Sequence, residues 1–579
     1  MAEAPNLIGK VTQPGRWFTV SGQKPFMDHP AISTVEEQVR RSDGPRIAAD
    51  ARPLTHLRRS YLTAAPCGIW SHARGFCNGT AIAPPGPAKF IRLECWPTDS
   101  LRGSMLEKTS PKRGAKGREP KPLSGGPGLR SMIDLFAGCG GLSLGFENAG
   151  FTPVFMNELD ADARASYLLN RRHHTLGGLS FAENEALHSS DAQELQGKRL
   201  EQLVSDLANI PELQLTFDNV SRPKHGGGSS IDVIAGGPPC QGFSGIGIRR
   251  SYAVDKKELP SNRLYVRMAD IIRFLRPRIF LFENVRGLLV STWTRGGSDL
   301  IFPDVLTEFR SIDGYEVRWS LVYAKDYGVP QNRPRVLLVG IRKDILKKCS
   351  FLEPERHPED AISCGFLPTG TTRSYPDLID LLDDLIDDSV VARLRSQRFG
   401  SGPFETTEYP NPPRTAIQKK LRHPPHWYPA DKVVLTEQEY SRHSANVVAK
   451  FEHMLSSGGE IPDQYRTKKF SQRLLRARWG DEGPNITATS LPDDYVHFAQ
   501  PRILTVREWA RLQLFPDWYQ FAGKRTTGGI RRAGNPLEGV FDREVPKYTQ
   551  IGNAVPVGLA EKIGEHFKRI LDEALGQHA

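Results

Sequence analysis

The sequence predicts an α/β protein, with a mostly parallel sheet covered on both faces and a second, irregular segment inserted before its C-terminal end. Three observations carry this expectation. Short apolar strands alternate with helical patterns between residues 131 and 341. The chemistry-bearing motifs fall at the ends of such strands. From about residue 345 to 500 the periodicity gives way to a stretch rich in Pro, Arg, His and Asp.

Met132-Ile133-Asp134-Leu135-Phe136 reads as a buried strand, followed by a glycine-rich turn and a helix from about Leu142 to Ala149. Val154 to Glu158 is a second strand, and the helix after it runs to about Asn170. A charged helix near Leu195–Ala208 precedes the apolar strand Ile231–Ala235. A helix at Tyr265–Leu275 leads to the strand Ile279–Glu283. Strands Val317–Ala324 and Arg335–Ile341 follow with little helix between, which predicts an antiparallel pair at a sheet edge. Segments such as Pro410-Asn411-Pro412-Pro413-Arg414 mark the irregular region. Beyond Gln550, Leu559, Ile563, Phe567 and Ile570 form a helical apolar stripe expected to pack back on the first domain. The expected division is an extension over 1–130, a catalytic domain over 131–344, the irregular domain over 345–500, and a return to the scaffold over 501–579.

Composition narrows the function classes. Residues 1–130 hold 20 Lys+Arg against 10 Asp+Glu, a net of +10, so only +1 of the formal charge of +11 belongs to the rest. Any nucleic-acid surface on the body must therefore be a local patch. The extension, with breaker-rich and basic runs such as Lys112–Arg118, is expected to be poorly ordered, or else a basic arm for non-specific DNA affinity. No apolar run reaches the length of a membrane span, and no apolar stretch follows a basic start at the N-terminus. The seven cysteines are scattered without a CxxC pair, so neither a disulfide framework nor a metal site is expected, and a cytoplasmic setting fits best.

Four motifs carry chemistry. Asp134–Gly141 is a glycine loop where backbone can approach a nucleotide-like ligand, and Glu158, about twenty residues on, can accept ribose hydroxyls. By itself such a loop fits a dinucleotide, a nucleoside cofactor or a plain turn. Gly236-Gly237-Pro238-Pro239-Cys240 presents one cysteine on a rigid path, as a nucleophilic thiolate requires. Cys139, within the glycine loop, reads as a small filler. Glu283-Asn284-Val285 ends a strand with a carboxyl group placed for acid work. Gln331-Asn332-Arg333-Pro334-Arg335 sets two arginines at strand spacing, hence on one face.

In this order the four motifs resemble the cytosine-5 DNA methyltransferase family, bacterial type. Two further segments, Arg502–Asp517 and Gln550-Ile551-Gly552-Asn553-Ala554-Val555-Pro556, look like the family's ninth and tenth blocks. The resemblance covers about residues 131–341 and 485–575. It implies a Rossmann-like S-adenosylmethionine-dependent methyltransferase domain with a smaller target-recognition domain. Phe136, Gly138 and Gly140 would hold S-adenosyl-L-methionine, Glu158 its ribose, and Asp191 its adenine amino group. Pro238, Leu264, Asn553 and Val555 would line the rest of that pocket. Cys240 would attack carbon 6 of a flipped-out cytosine, Glu283 would serve ring nitrogen 3, Arg335 would hold the base's carbonyl oxygen, and Arg333 would orient Glu283. Arg249 and Arg250 could meet phosphates, and Thr487-Ala488-Thr489 resembles the signature that begins the return to the scaffold. The resemblance also implies a monomer acting on double-stranded DNA in the nucleoid, as a solitary methylase or beside an independent restriction endonuclease. The alternatives are an RNA cytosine-5 methyltransferase, a catalytically silent relative, and a nicotinamide-dependent oxidoreductase, which would leave Pro-Pro-Cys unexplained.

Overall fold

The computed structural model describes residues 129–217, 228–239, 263–294, 297–371, 375–428, 433–466, 472–479, 483–486, 492–526 and 544–576. Cys240, Arg249, Arg250, Thr487–Thr489 and the extension up to residue 128 lie outside them.

The scaffold is a seven-stranded sheet. Its strands are β1 (Arg130–Leu135), β2 (Phe151–Asn157), β3 (His188–Ser189), β4 (Val233–Gly236), β5 (Ile279–Val285), β6 (Tyr315–Tyr323) and β7 (Pro334–Arg342). The spatial order is β3-β2-β1-β4-β5-β7-β6. The first five are parallel, while β7 runs antiparallel to both β5 and β6. The expected antiparallel edge pair is therefore present. Full burial of β1 and near-full burial of β2, β5 and β7 explains why these strands read as continuous apolar runs rather than as alternation. The short strand β3, two residues long, was not anticipated; it is too brief to leave a periodic signal.

Helices α1 (Gly141–Asn148), α2 (Ala161–Leu169), α3 (Lys198–Ala208), α4 (Leu264–Leu275) and α5 (Phe302–Arg310) follow their strands. They build two cores. Leu200, Leu203, Met268, Ile272 and Phe309 pack with Ile133, Ile234 and Phe280 in one. Leu142 and Phe146 pack with Met132, Ala235 and Leu281 in the other.

The irregular segment contains helices α6 (Leu378–Leu382), α7 (Asp388–Ser396), α8 (Ala416–Arg422) and α9 (Ala445–Ser457). Leu378, Leu382, Leu421 and Trp479 share a core with Leu144, Trp509 and Ile551 of the scaffold. Residues such as Ala361, Cys364 and Phe366 join the core beneath the sheet. Leu378, Leu382 and Ala361 thus face scaffold side chains. Charge reinforces the join: Arg511 of α10 (Val506–Arg511) donates to Asp384 Oδ1 at 2.6 Å and to Asp517 Oδ2 at 2.6 Å, all fully buried.

The chain returns through α11 (Lys547–Asn553) and α12 (Val557–Ala574). The predicted stripe Leu559, Ile563, Phe567 and Ile570 is buried. Helix α12 lies close on α1 because glycines stand at the contact: a Cβ on Gly145 would sit 2.4 Å from Ala560 Cβ, and one on Gly564 would sit 2.8 Å from Ala149 Cβ.

Candidate active site

The described residues of the four motifs fall at one edge of the sheet, where β1, β2, β3, β4 and β5 end and the antiparallel β7 begins. Open α/β sheets bind ligands at this edge. Two groups of side chains assemble there.

The first surrounds the glycine loop after β1. Phe136 has φ +57°, a left-handed conformation costly for a residue with a Cβ. Gly138 and Gly140 have φ +57° and +88°, which glycine adopts freely. A Cβ on Gly138 would meet nothing within 4 Å, so the loop opens onto free space. Glu158, at the end of β2, ties the loop down: one carboxylate oxygen accepts from the Gly138 N–H at 2.8 Å and the other from the Asp160 N–H at 2.8 Å. A carboxylate accepts about four hydrogen bonds, so each oxygen keeps a lone pair for a ligand hydroxyl. Burial raises the pKa of Glu158, opposed by those two N–H groups. Asp191, two residues past β3, caps a short helical turn through the Gln193 N–H at 2.9 Å and stays half-exposed at the same edge.

The tenth-block segment closes this group from the other side. A Cβ on Gly141 would sit 2.5 Å from the Val555 carbonyl oxygen, so the two backbones touch. Val555 is buried and Asn553 exposed. Cys139 is fully buried and its thiol donates to the Gln550 carbonyl at 3.5 Å. Burial pushes that thiol up to about 12, away from the thiolate form that a nucleophile needs. Leu264 opens α4 and is half-buried.

The second group surrounds the end of β4. The chain leaves β4 after Gly236; Pro238 is buried and Pro239, just before Cys240, is exposed. Glu283, 8% exposed, lies beside this exit: a Cβ on Gly237 would sit 2.6 Å from Glu283 Oε2. Only glycine there lets the carboxylate approach the strand. Asn284 donates to the Pro238 carbonyl oxygen at 3.2 Å and so fixes the first proline of the loop.

The arginines divide their work differently from the expectation. Arg335, not Arg333, forms the ion pair with Glu283. Arg333 is fully buried and donates to the carbonyl oxygens of Gly552 at 2.6 Å and Ala554 at 3.2 Å. The cause lies in the tenth block, which presents carbonyls to Arg333 and leaves Arg335 across from β5, opposite Val285. Burial, then the charge of Arg335, holds the Arg333 guanidinium well below its usual range. Gln331 was read only as part of the motif; it is fully buried, donates to the Leu512 carbonyl at 2.6 Å and accepts from the Ile486 N–H at 3.1 Å.

Sequence reasoning missed the support beneath the glycine loop. Asp134 is fully buried and accepts from Ser143 Oγ at 2.5 Å, and burial raises its carboxyl to about 7. Tyr519 donates its hydroxyl to the Cys139 carbonyl oxygen at 2.5 Å. Ser143 stands nine residues from Asp134, in the first turn of α1, while Tyr519 comes from a distant part of the chain and leaves no local signal.

At this edge a glycine loop tied down by a carboxylate stands after β1, and Glu283, paired with Arg335, lies beside the chain leaving β4. The family model of C-5 cytosine-specific DNA methylases matches residues 130–195 and 214–569. The chain is 30% identical over 458 residues to the type II methyltransferase M.DdeI of Desulfomicrobium norvegicum, covering 76% of this chain and 90% of that protein. It is 28% identical over 441 residues to M.XorII of Xanthomonas oryzae pv. oryzae, covering 76% and 84%. M.AgeI of Thalassovita gelatinovora is 26% identical over 507 residues, covering 75% and 98%. The chain belongs to the C-5 cytosine-specific DNA methylases. It transfers a methyl group from a donor to carbon 5 of cytosine in DNA, and the RNA-modifying alternative is set aside.

Proposed function

We propose that the methyl donor is S-adenosyl-L-methionine and that Cys240 is the nucleophile of the reaction on a cytosine drawn out of duplex DNA. One observation carries this reading: the Glu283 carboxylate is held by Arg335 against Gly237, three residues ahead of Cys240.

The residues of the first group fit the donor. Glu158 offers two free lone pairs to ribose hydroxyls, Asp191 an acceptor to an exocyclic amine, and Phe136 an aromatic face. Gly138 and Gly140 allow close backbone approach, while Pro238, Leu264, Asn553 and Val555 close the remaining sides. When bound, the donor supplies an electrophilic methyl group on a sulfonium.

Carbon 5 of cytosine is a weak nucleophile. Attack of the Cys240 thiolate on carbon 6 breaks the 5–6 double bond and raises electron density at carbon 5. Glu283 stabilises the charge that moves to ring nitrogen 3 by donating a proton or a hydrogen bond there. Arg335 orients Glu283 and holds the base's carbonyl oxygen, and Arg333, rather than orienting Glu283, anchors the loop bearing Asn553. After methyl transfer a base removes the carbon 5 proton and Cys240 departs, restoring the double bond. The reacting carbons are buried in the base stack, so the base must first be flipped out, at a cost of a few kcal/mol. The enzyme acts as a monomer, and a restriction endonuclease would act independently of it.

The test is transfer of labelled methyl groups to mixed-sequence duplex DNA by wild type and Cys240→Ser, followed by bisulfite sequencing. Label at a defined cytosine with wild type alone is expected, with donor binding by calorimetry equal in both proteins. Equal label from Cys240→Ser would sink the covalent mechanism.

A further inference from the structure

The glycine loop after β1 stands on a buried layer that the catalytic scheme leaves without a task. Three of its backbone positions are left-handed: Phe136, Gly138 and Gly140, with φ +57°, +57° and +88°. Glycine has several conformations of similar energy, so a loop of this kind keeps one shape only where its peptide groups are tied. The first half is tied to the end of β2. The Ala137 N–H donates to the Asn157 carbonyl at 2.9 Å and the Gly138 N–H to Glu158 at 2.8 Å. The second half is tied across the core. The Cys139–Gly140 peptide group is held at both ends, its N–H by the Ala137 carbonyl at 2.9 Å and its carbonyl by the Tyr519 hydroxyl at 2.5 Å.

Tyr519 is built as a fixed post. It is fully buried, and its ring packs on Phe515 and Phe521 with centroids 5.0 and 5.6 Å away. Its backbone carbonyl accepts from Arg507 at 2.8 Å, and its N–H donates to the Pro516 carbonyl at 3.0 Å. The single hydroxyl proton has one destination. Arg171 Nη1 donates to the Tyr519 oxygen at 3.3 Å, and a guanidinium accepts nothing, so the proton goes to Cys139. Arg171 is oriented in turn by Glu147 at 2.6 Å and by the Tyr167 carbonyl at 3.0 Å. Gly140 lies directly on this layer: a Cβ there would sit 2.6 Å from the Tyr519 oxygen, 2.9 Å from Tyr167 and 3.0 Å from Arg171 Nη1. A Cβ on Gly138 would meet nothing within 4 Å, so the loop has one seated part and one open part.

We propose that Tyr519 is a positioning residue for the methyl donor, its hydroxyl fixing the Cys139–Gly140 peptide so that the loop has its binding shape before the donor arrives. The proposal rests on the S-adenosyl-L-methionine reading above. In a buried layer no bulk water replaces a lost hydroxyl, and a carbonyl left without its partner turns to find another. The free loop then spends part of its time in other shapes, and donor affinity falls by the fraction lost. A bound donor holds the loop itself, so the chemical step that follows is unaffected.

The experiment compares the full chain as wild type, Tyr519→Phe and Tyr327→Phe. Tyr327 is the control: it too is buried, in the core beneath the sheet, and its hydroxyl donates to the Pro368 carbonyl at 2.9 Å. Losing one buried hydroxyl should lower the melting temperature of both variants alike. Only Tyr519→Phe is expected to weaken S-adenosyl-L-methionine binding in calorimetry, by roughly fivefold to tenfold, and to raise KM for the donor by the same factor while kcat and KM for DNA hold. Equal donor affinity in the two variants would overturn the proposal and leave Tyr519 a packing residue. A matching fall in kcat or in DNA affinity would overturn it too, as the mark of a generally loosened fold. Hydrogen exchange on the wild type gives a reading that needs no variant. Saturating donor should slow the amides of Gln520 and Ala522, which fasten the Tyr519 segment to Asn170 and Ser166. Unchanged exchange there, beside slowed exchange over 137–141, would overturn the proposal. Wild type that bound no S-adenosyl-L-methionine would strike the donor reading itself, whereas binding that Tyr519→Phe leaves intact strikes this one alone.

Discussion

Glu283 can act on a bound base only if its carboxylate is both held and shielded from water. The ion pair with Arg335 and the missing side chain at Gly237 accomplish this together. Replacing the acid by its amide keeps the volume and removes the proton, so Glu283→Gln is expected to lower kcat for methyl transfer by about 10²–10³-fold, with KM for DNA little changed. Single-turnover transfer on the target duplex measures this. A variant with wild-type kcat would place Glu283 among structural residues. Cys139 shows the contrary case: a cysteine in the most conspicuous loop of the chain is made inert by complete burial.

At the scale of elements, the contact between α1 and α12 carries the tenth block to the glycine loop. The helices approach closely because Gly145 and Gly564 present no Cβ. A methyl group on Gly145 would meet the Val557 carbonyl oxygen at 2.5 Å and the Glu561 nitrogen at 2.6 Å, both backbone atoms that cannot swing away. Gly145→Ala is therefore expected to destabilise the fold by about 1–3 kcal/mol despite alanine's better helix propensity. Urea unfolding should show a lower midpoint with an unchanged slope. An unchanged midpoint would mean that the helices can part at no cost, and that α12 does not hold the donor pocket closed.

For the whole molecule, burial of ionisable groups sets the response to pH. His174 and His497 are buried with no hydrogen bond at Nε2, that of His497 lying 3.7 Å from Glu508, and burial lowers them to about 4 and about 3. Below their usual value of 6.5 the unfolded chain binds protons that the folded chain refuses, so each costs about 1.4 kcal/mol of stability per pH unit as pH falls toward 4. Asp134 works in the opposite sense. Its carboxyl is raised to about 7, so its contribution is complete below 3.8 and is lost as pH rises through 7. Glu508, lowered to about 2 chiefly by Arg502 against the desolvation of burial, contributes stability above 4.5 that is lost on further acidification. His173, His443 and His566 are lowered in the same sense and Glu147 and Glu158 are raised as Asp134 is, so the losses at five histidines predict a urea midpoint that falls between pH 6.5 and 4 and falls further below 4.5. A midpoint that held steady or rose over the upper interval would contradict this, and His497→Phe should flatten it.

Much of the scaffold and the chemistry was legible in the sequence. Apolar runs such as Ile279–Phe282, short and bounded by Pro277 and Asn284, read as buried strands and are buried strands. The stripe at Leu559, Ile563, Phe567 and Ile570 has one helical face to bury. Glu158 and Glu283 declared themselves by standing where such strands end. The partners of Arg333 and Arg335 were not legible, since residues two apart on a strand share a face and their sequence neighbours are the same. The carbonyls of Gly552 and Ala554, more than two hundred residues away, decided that pair. The same holds for Asp134, whose proton depends on burial by side chains remote in sequence. Local pattern determined which residues meet water, core and strand ends; the long-range packing of the returning chain decided which charge faces which, because electrostatic partners are set by distance in space and not along the chain.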